Sequence, residues 1–477
     1  MKLCIALAFL ISCSSHPTPQ PAAPVAHAAP AAATLVGAWS GTVALPGQPL
    51  AIEIRFRDDG NGTVDVPAQG AMGLALSKVS LTGSDVAFDL ADVGATFRGT
   101  LRGDGIAGTM TQSGQQFPFT LTRHAAGSAV STQPAIRSCR DKPDDIVAPP
   151  YRTIEVAIDS TGGTRLAGTL TLPATTSPAR AVVMVTGSGP QDRDECVFGV
   201  RPFRDLADHL ARHGIASLRY DDRGTARSTG TFAGTTPDDF AADADAAVHF
   251  LAARTEIDAH RVGVLGHSEG GIIAPLVAAK DHAVSFIVLW AAPGLPMETV
   301  DLAQTDQMLR ADGAPADVIA RKVLLERTML ASLRSSHDDA GFARTLRTAV
   351  THDVPEADRR SIGDVDAWVA RQVHENGGPW MRWYLDYVPA ATLAKVTCPV
   401  LALGGSLDTQ VPAHDNLEAI RAALGRNHRA AITELPGLNH LFQRATTGAP
   451  SEYATNAPHV DGAVLDRTAA WIAALQL

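Results

Sequence analysis

Apolar residues are spaced in two different ways along this chain. Across residues 35–123 they alternate with polar ones at a period of two. Ile52-Glu53-Ile54-Arg55-Phe56-Arg57 puts its apolar side chains on one face of an extended segment and its charges on the other. Residues 86–90, 95–101 and 117–121 repeat the pattern. Turn-forming stretches such as Asp58-Asp59-Gly60-Asn61-Gly62, Gly83-Ser84-Asp85 and Gln112-Ser113-Gly114 separate the runs. The pattern predicts a small all-β antiparallel meander, closed or nearly closed as a barrel. This accessory domain contains no catalytic constellation. It reads as a binding or positioning module, and at least as readily as a structural appendage.

From residue 151 onward the spacing changes. Residues 153–158 and 166–172 read as a hairpin around a turn at 159–163. Short, fully apolar runs then follow at 181–185, 216–218, 262–265, 286–289, 400–403 and 431–435, with helical patterns between them. Strands apolar on both sides must be covered on both faces. The predicted fold class is therefore α/β: a mostly parallel sheet with helices on both faces, over 151–477. The alternation breaks between about 293 and 394, a long helical and polar stretch. It is expected to form a cap insertion over the carboxyl edge of the sheet, where ligands bind in open α/β folds. Residues 124–150, rich in Ser, Pro and Asp, form a linker. Residues 13–34, nearly all Ser, Pro, Ala, Thr and His, form a tether that cannot bury a core.

At 477 residues two or more folded units are expected. The formal charge of -10 and the lack of any Lys/Arg run argue against nucleic acid as a partner. Residues 1–12 have the form of an export signal: Lys2, then an apolar run too short to span a bilayer. The run ends Leu10-Ile11-Ser12-Cys13, which resembles the lipobox of bacterial lipoproteins. That resemblance implies cleavage before Cys13 and attachment of lipid (palmitate among its acyl chains) to Cys13. The protein would be anchored to the cell envelope through that lipid alone. Ser14 in place of Asp implies the outer membrane. The alternative is a plain secretory signal and a soluble periplasmic or secreted protein. Of the remaining cysteines, Cys398 opens an apolar run and reads as a core thiol. This leaves Cys139 and Cys196 as a candidate disulfide pair.

The chemistry centres on Gly266-His267-Ser268-Glu269-Gly270, a G-x-S-x-G between a strand and a helix. Small residues at 266 and 270 permit a sharp turn that lifts the Ser268 hydroxyl toward a helix N-terminus, where an anion is favoured. Pro275 is expected to kink that helix. A serine hydroxyl needs a base, and the base needs an orienting acid. Asp408 follows the strand-like run at 400–403, and His440 follows the one at 431–435. Both therefore fall on the sheet edge that carries Ser268. Asp415 is the rival acid, and His414 and His459 are rival bases; none of them directly follows a strand. The oxyanion donors are expected to be the backbone N–H of Glu269 and one from the glycine-rich loop Thr186-Gly187-Ser188-Gly189-Pro190. Ser188 is preferred there and Gly189 is second. Acyl transfer by these groups needs neither cofactor nor metal.

Four segments together carry a wider resemblance. They are residues 185–195, Arg219-Tyr220-Asp221-Asp222-Arg223-Gly224, residues 266–275 and Asn439-His440-Leu441-Phe442. The chain resembles exported bacterial α/β-hydrolases of the carboxylesterase group, close to the serine aminopeptidase and dienelactone-hydrolase branches. The preceding β-domain is also similar to one fused to that group. Thr186 is a departure, standing where many α/β-hydrolases have the His of an H-G pair. Ala226 stands where the family's R-G-x-G-x-S has its second glycine. Asp192, Arg193 and Asp194 are expected to pair locally and shape the oxyanion loop, or else to form a solvated cluster. The aromatics of residues 379–387 either line a substrate pocket or pack the cap.

The expected function is hydrolysis of small acyl esters through an acyl-enzyme. Two alternatives remain. A serine aminopeptidase on the same fold would need acidic groups in the cap, for which Glu298 and Asp301 are candidates. A non-catalytic, ligand-binding surface lipoprotein would have no need of the Ser, Asp and His.

Overall fold

The computed structural model describes residues 35–44, 50–57, 61–66, 71–90, 95–112, 115–124, 149–175, 177–453 and 455–476. Cys13, Cys139, the signal, the tether and most of the linker lie outside these described residues. The chain divides into two compact units.

The first unit is a closed antiparallel barrel of eight strands. They are β1 (Gly37–Val43), β2 (Leu50–Phe56), β3 (Gly62–Val66), β4 (Ala71–Thr82), β5 (Asp85–Leu90), β6 (Ala95–Arg102), β7 (Gly105–Gln112) and β8 (Gln115–Arg123). Each pairs with the next, and β8 closes on β1 with Trp39 opposite Arg123. Period-two patterning decides which side chains enter. Ile52, Ile54 and Phe56 are buried, while Ala51 and Arg55 are exposed. The interior is packed: Phe88 stacks on Phe97 at 4.6 Å between ring centres, and Phe56 and Phe119 meet Phe88 edge-on. Closure leaves no unpaired sheet edge among the described strands.

The second unit has one eight-stranded sheet, in the order β16-β15-β14-β13-β11-β12-β10-β9. Its strands are β9 (Tyr151–Asp159), β10 (Arg165–Pro173), β11 (Ala179–Val185), β12 (Ala216–Tyr220), β13 (Ile257–His267), β14 (Ile287–Trp290), β15 (Val400–Gly405) and β16 (Ala430–Leu435). β9 and β10 form the expected hairpin, and β10 also runs antiparallel to β12, so the sheet is mixed. From β12 to β16 all pairings are parallel. Successive residues of β11 serve opposite faces. Ala181, Val183 and Val185 join the core under α2 (Pro237–Ala252), α3 (Gly270–Ala278) and α11 (Ala413–Ala423). Val182 and Met184 join the core under α1 (Pro202–Arg212) and α12 (Gly462–Ala474). This two-sided burial is why the strands are apolar throughout.

β11 lies between β12 and β13, so the chain leaves it toward one side and returns on the other. The crevice at such a reversal opens at the carboxyl ends of the two strands. Between β14 and β15 run seven helices: α4 (Met297–Ala311), α5 (Ala316–Arg334), α6 (Asp339–His352), α7 (Glu356–Ile362), α8 (Val365–Asn376), α9 (Gly378–Asp386) and α10 (Pro389–Leu393). They occupy residues 297–393. Asp338 and Asp364 cap α6 and α8 by accepting the N–H of Gly341 and Ala367.

Candidate active site

Ser268 stands between β13 and α3 with φ of 53°, a left-handed conformation that a non-glycine residue adopts only when its surroundings impose it. The turn is tight enough to exclude side chains on either flank. A Cβ at Gly266 would lie 1.8 Å from the Gly270 carbonyl oxygen, and one at Gly270 would lie 2.1 Å from that of Val185. The Ser268 N–H is tied to the carbonyl of Trp290 at the end of β14, 2.9 Å away. α3 begins at Gly270 and continues through Pro275 to Ala278.

Asp408 follows β15 and is buried. Its Oδ1 accepts the N–H groups of Gln410 and Val411 at 2.9 and 2.8 Å, which fixes the carboxylate. Its Oδ2 lies 2.8 Å from Nδ1 of His440. That contact places a hydrogen on Nδ1 and leaves Nε2 as the basic nitrogen. The loop bearing His440 is set by Asn439, which is fully buried and whose side chain accepts the N–H groups of Leu441 and Gln443. His267 joins this loop to the elbow: its Nε2 lies 2.9 Å from the His440 carbonyl oxygen, and the two imidazole rings are 4.8 Å apart. The rival residues are elsewhere. Asp415 and His414 are exposed on α11, and His459 faces Asp205.

The loop after β11 lies against the serine, since a Cβ at Gly187 would come within 3.2 Å of Ser268 Cβ. Gly187's own N–H is taken by Glu195 Oε1 at 2.6 Å. The N–H groups of Ser188 and Glu269 meet no acceptor among the described residues, which leaves both free to bind an anion. Gly189, the second choice, has φ of 92°. The loop is pinned from β12. Asp222 accepts from Thr186 Oγ1 and from the N–H of Gln191, both at 2.9 Å, and burial pushes its pKa well above the usual carboxylate range. Thr186 thus works as a hydrogen-bond donor that fixes the loop to Asp222.

The charged side chains of the run after this loop do not pair with one another. Arg193 reaches Asp221 with two bonds of 2.9 and 2.8 Å and also Glu155, while Asp194 pairs with Arg219. Asp192 instead accepts the N–H groups of Asp194 and Cys196. The expectation of local pairing gives way to ties from the loop to the ends of neighbouring strands. Cys196 is disulfide-bonded; Cys139, its expected partner, lies outside the described residues. Cys398 is a free thiol, its pKa pushed up to about 11 by burial.

The cap meets the elbow through α9. Trp380 donates its indole N–H to Glu269 Oε1 at 2.7 Å and stacks on Tyr384 at 4.7 Å. Trp383 donates to Asp238 of α2 at 2.8 Å. Glu298 pairs with Arg334 at 2.8 Å. Asp301, on the same helix as Glu298, is 6% exposed, and its Oδ2 has no hydrogen-bond partner among the described residues. Burial pushes its pKa up to about 6, and burial followed by Asp301 pushes that of Glu326 up to about 8. Glu326, Glu195 and the part played by His267 escaped sequence reasoning. The signal for His267 was its place beside the serine.

Residues 162–435, a span that includes the elbow and Asp408 and stops short of His440, match the family model of the X-Pro dipeptidyl-peptidase (S15 family). Esterase EstD of Thermotoga maritima is 26% identical over 356 residues, covering 74% of this chain and 75% of EstD. Among solved structures, the α/β hydrolase GrgF from Penicillium sp. sh18 is 18% identical, with a TM-score of 0.41 over 67% of this chain and 98% of its own. The Pyrococcus furiosus esterase PF2001 is 13% identical, with a TM-score of 0.42 over 68% and 91%. The family match takes in more than half of the 477 residues, so the chain belongs to the X-Pro dipeptidyl-peptidase (S15) family and is a serine hydrolase of the α/β-hydrolase fold.

Proposed function

We propose that the protein hydrolyses small carboxylic esters, with Ser268 as nucleophile, His440 as general base and Asp408 as the acid that orients it. The observation that carries this reading is the 2.8 Å bond from His440 to Asp408 on a loop tied to the nucleophile elbow through His267. Neutral His440 takes the Ser268 proton at Nε2 as the oxygen attacks the ester carbonyl. The carbonyl oxygen gains charge facing the N–H groups of Ser188 and Glu269. The imidazolium returns the proton to the leaving alcohol, and the acyl group remains on Ser268. Water, deprotonated by His440, then releases the acid and restores the serine. A fluorophosphonate should label Ser268 in the wild type. A panel of acyl esters set against aminoacyl amides then tests the substrate class, and a clear preference for amides would overturn the ester assignment.

One observation favours a second reading, as an aminopeptidase. Asp301 is a buried carboxylate with no cation beside it among the described residues, and Glu326 is close enough to be affected by its charge. A substrate ammonium would offset both. EstD is named an esterase and the family model a dipeptidyl-peptidase, so the relatives support either.

We also propose export and anchoring through a lipid on Cys13, on the strength of the Leu10-Ile11-Ser12-Cys13 ending and the tether that follows. Among the described residues no helix is long and apolar enough to cross a membrane.

A further inference from the structure

His267 precedes the elbow serine, and its ring is almost wholly buried, at 3% exposure. The two ring nitrogens face different loops. Nε2 lies 2.9 Å from the carbonyl oxygen of His440, which can only accept, so Nε2 carries a hydrogen. Nδ1 lies 2.8 Å from Oε1 of Glu195, 72 residues away in sequence. That oxygen also accepts the Gly187 N–H at 2.6 Å. With the shared proton on Nδ1, the pair is an imidazolium facing a carboxylate.

The pair has a cost. Glu195 holds φ of 53°, and its Oε2 is buried without a partner among the described residues. Burial works most strongly against the charge on His267, but the Glu195 carboxylate, the His440 carbonyl and the charge of Asp408 together outweigh it and the pKa of the ring is raised. The groups that face this ring are Glu195 from the loop after β11, the His440 ring from the loop after β16 and Asp408 from the loop after β15. Asp222, after β12, acts on the Glu195 side.

We propose that His267 is a positioning residue: clamped as a buried imidazolium between Glu195 and the His440 carbonyl, it sets the oxyanion loop and the base-bearing loop against each other around Ser268. This rests on the triad assignment above and adds a dependence of that triad on a second ionised pair. The clamp is complete only while His267 holds both protons. Its loss at alkaline pH slackens both loops together, giving kcat an alkaline limb that belongs to no group in contact with substrate.

Two neutral substitutions separate the halves of the clamp. In His267→Asn the amide nitrogen replaces Nδ1 and keeps the tie to Glu195. In His267→Gln it replaces Nε2 and keeps the tie to His440. The experiment measures kcat and KM of the full chain on p-nitrophenyl acetate from neutral to strongly alkaline pH. Both variants should lose kcat, by up to roughly 100-fold, with KM little changed, as expected when reacting groups are misplaced. Both should also lose the alkaline limb seen in the wild type. Folded variants with wild-type kcat and a wild-type alkaline limb would overturn the proposal. Ser268→Ala in the same assay keeps the two claims apart. If it turns over the ester, the triad reading fails; if it is inert beside unaffected His267 variants, only the clamp fails. Should neither His267 variant fold, 15N NMR of histidine-labelled wild type decides, with the ring identified by its change in Glu195→Gln. Two protonated nitrogens at neutral pH are expected, and one bare nitrogen would refute the clamp.

Discussion

The Nδ1 of His440 donates to Oδ2 of Asp408 over 2.8 Å, while the other oxygen of that carboxylate is held by the N–H groups of Gln410 and Val411. Both oxygens are thus committed as acceptors, and an amide can satisfy only half of the arrangement. Asp408→Asn should leave the fold intact and lower kcat by roughly 10⁴, because the imidazole loses its tautomer and orientation. Asp415, exposed on α11, should tolerate the same change in an ester assay. The reverse outcome, with Asp415→Asn inactive and Asp408→Asn near normal, would move the acid.

Ala226 keeps φ of 47° where the resembled motif has glycine. The loop holds a left-handed conformation at an alanine and accepts its strain. Ala226→Gly should therefore stabilise the protein by roughly 0.5–1 kcal/mol, the relief of the Cβ clash less the added freedom of the unfolded chain. Thermal denaturation checks this; a lower Tm would show that the strain is absent.

Asp301 makes stability depend on pH in a definite direction. Its pKa is raised in the folded protein to about 6 by burial, so the folded state binds the proton more tightly than the unfolded state. The contribution is complete below the unfolded carboxylate range and is lost as pH rises through about 6. Asp301→Asn removes this loss and should raise Tm at pH values above that point, by an amount corresponding to at most roughly 3 kcal/mol. In acid it should change little. An equal gain at both ends of the range would show that the carboxylate does not titrate this way. On the aminopeptidase reading the same variant should raise KM for aminoacyl substrates and leave plain acyl esters unaffected.

Cys13→Ala should shift the protein from membranes to the soluble fraction if the lipid is its anchor, since one hydrophobic modification is then all that holds it there. An unchanged membrane fraction would count against lipidation.

The strands were legible in the chain for different reasons in the two units. Ile52, Ile54 and Phe56 alternate because the barrel has one dry side, and Ala181 to Val185 are apolar throughout because helices cover both faces. Ser268, Asp408 and His440 stood out because each follows a strand that ends on the same edge. Pairings between distant segments were not legible. Nothing local marks Glu195 as the partner of His267, Arg193 as the partner of Asp221, or β10 as the antiparallel neighbour of β12. Asp301 read as a cap carboxylate, but its isolation follows from how the cap closes over it, which no spacing encodes.

The most direct test of the central claim is the turnover of a small acyl ester by pure Ser268→Ala protein, with fluorophosphonate labelling of the same sample. The account predicts no label and a kcat reduced by roughly 10⁶. A folded Ser268→Ala protein that hydrolyses the ester at the wild-type rate would contradict it.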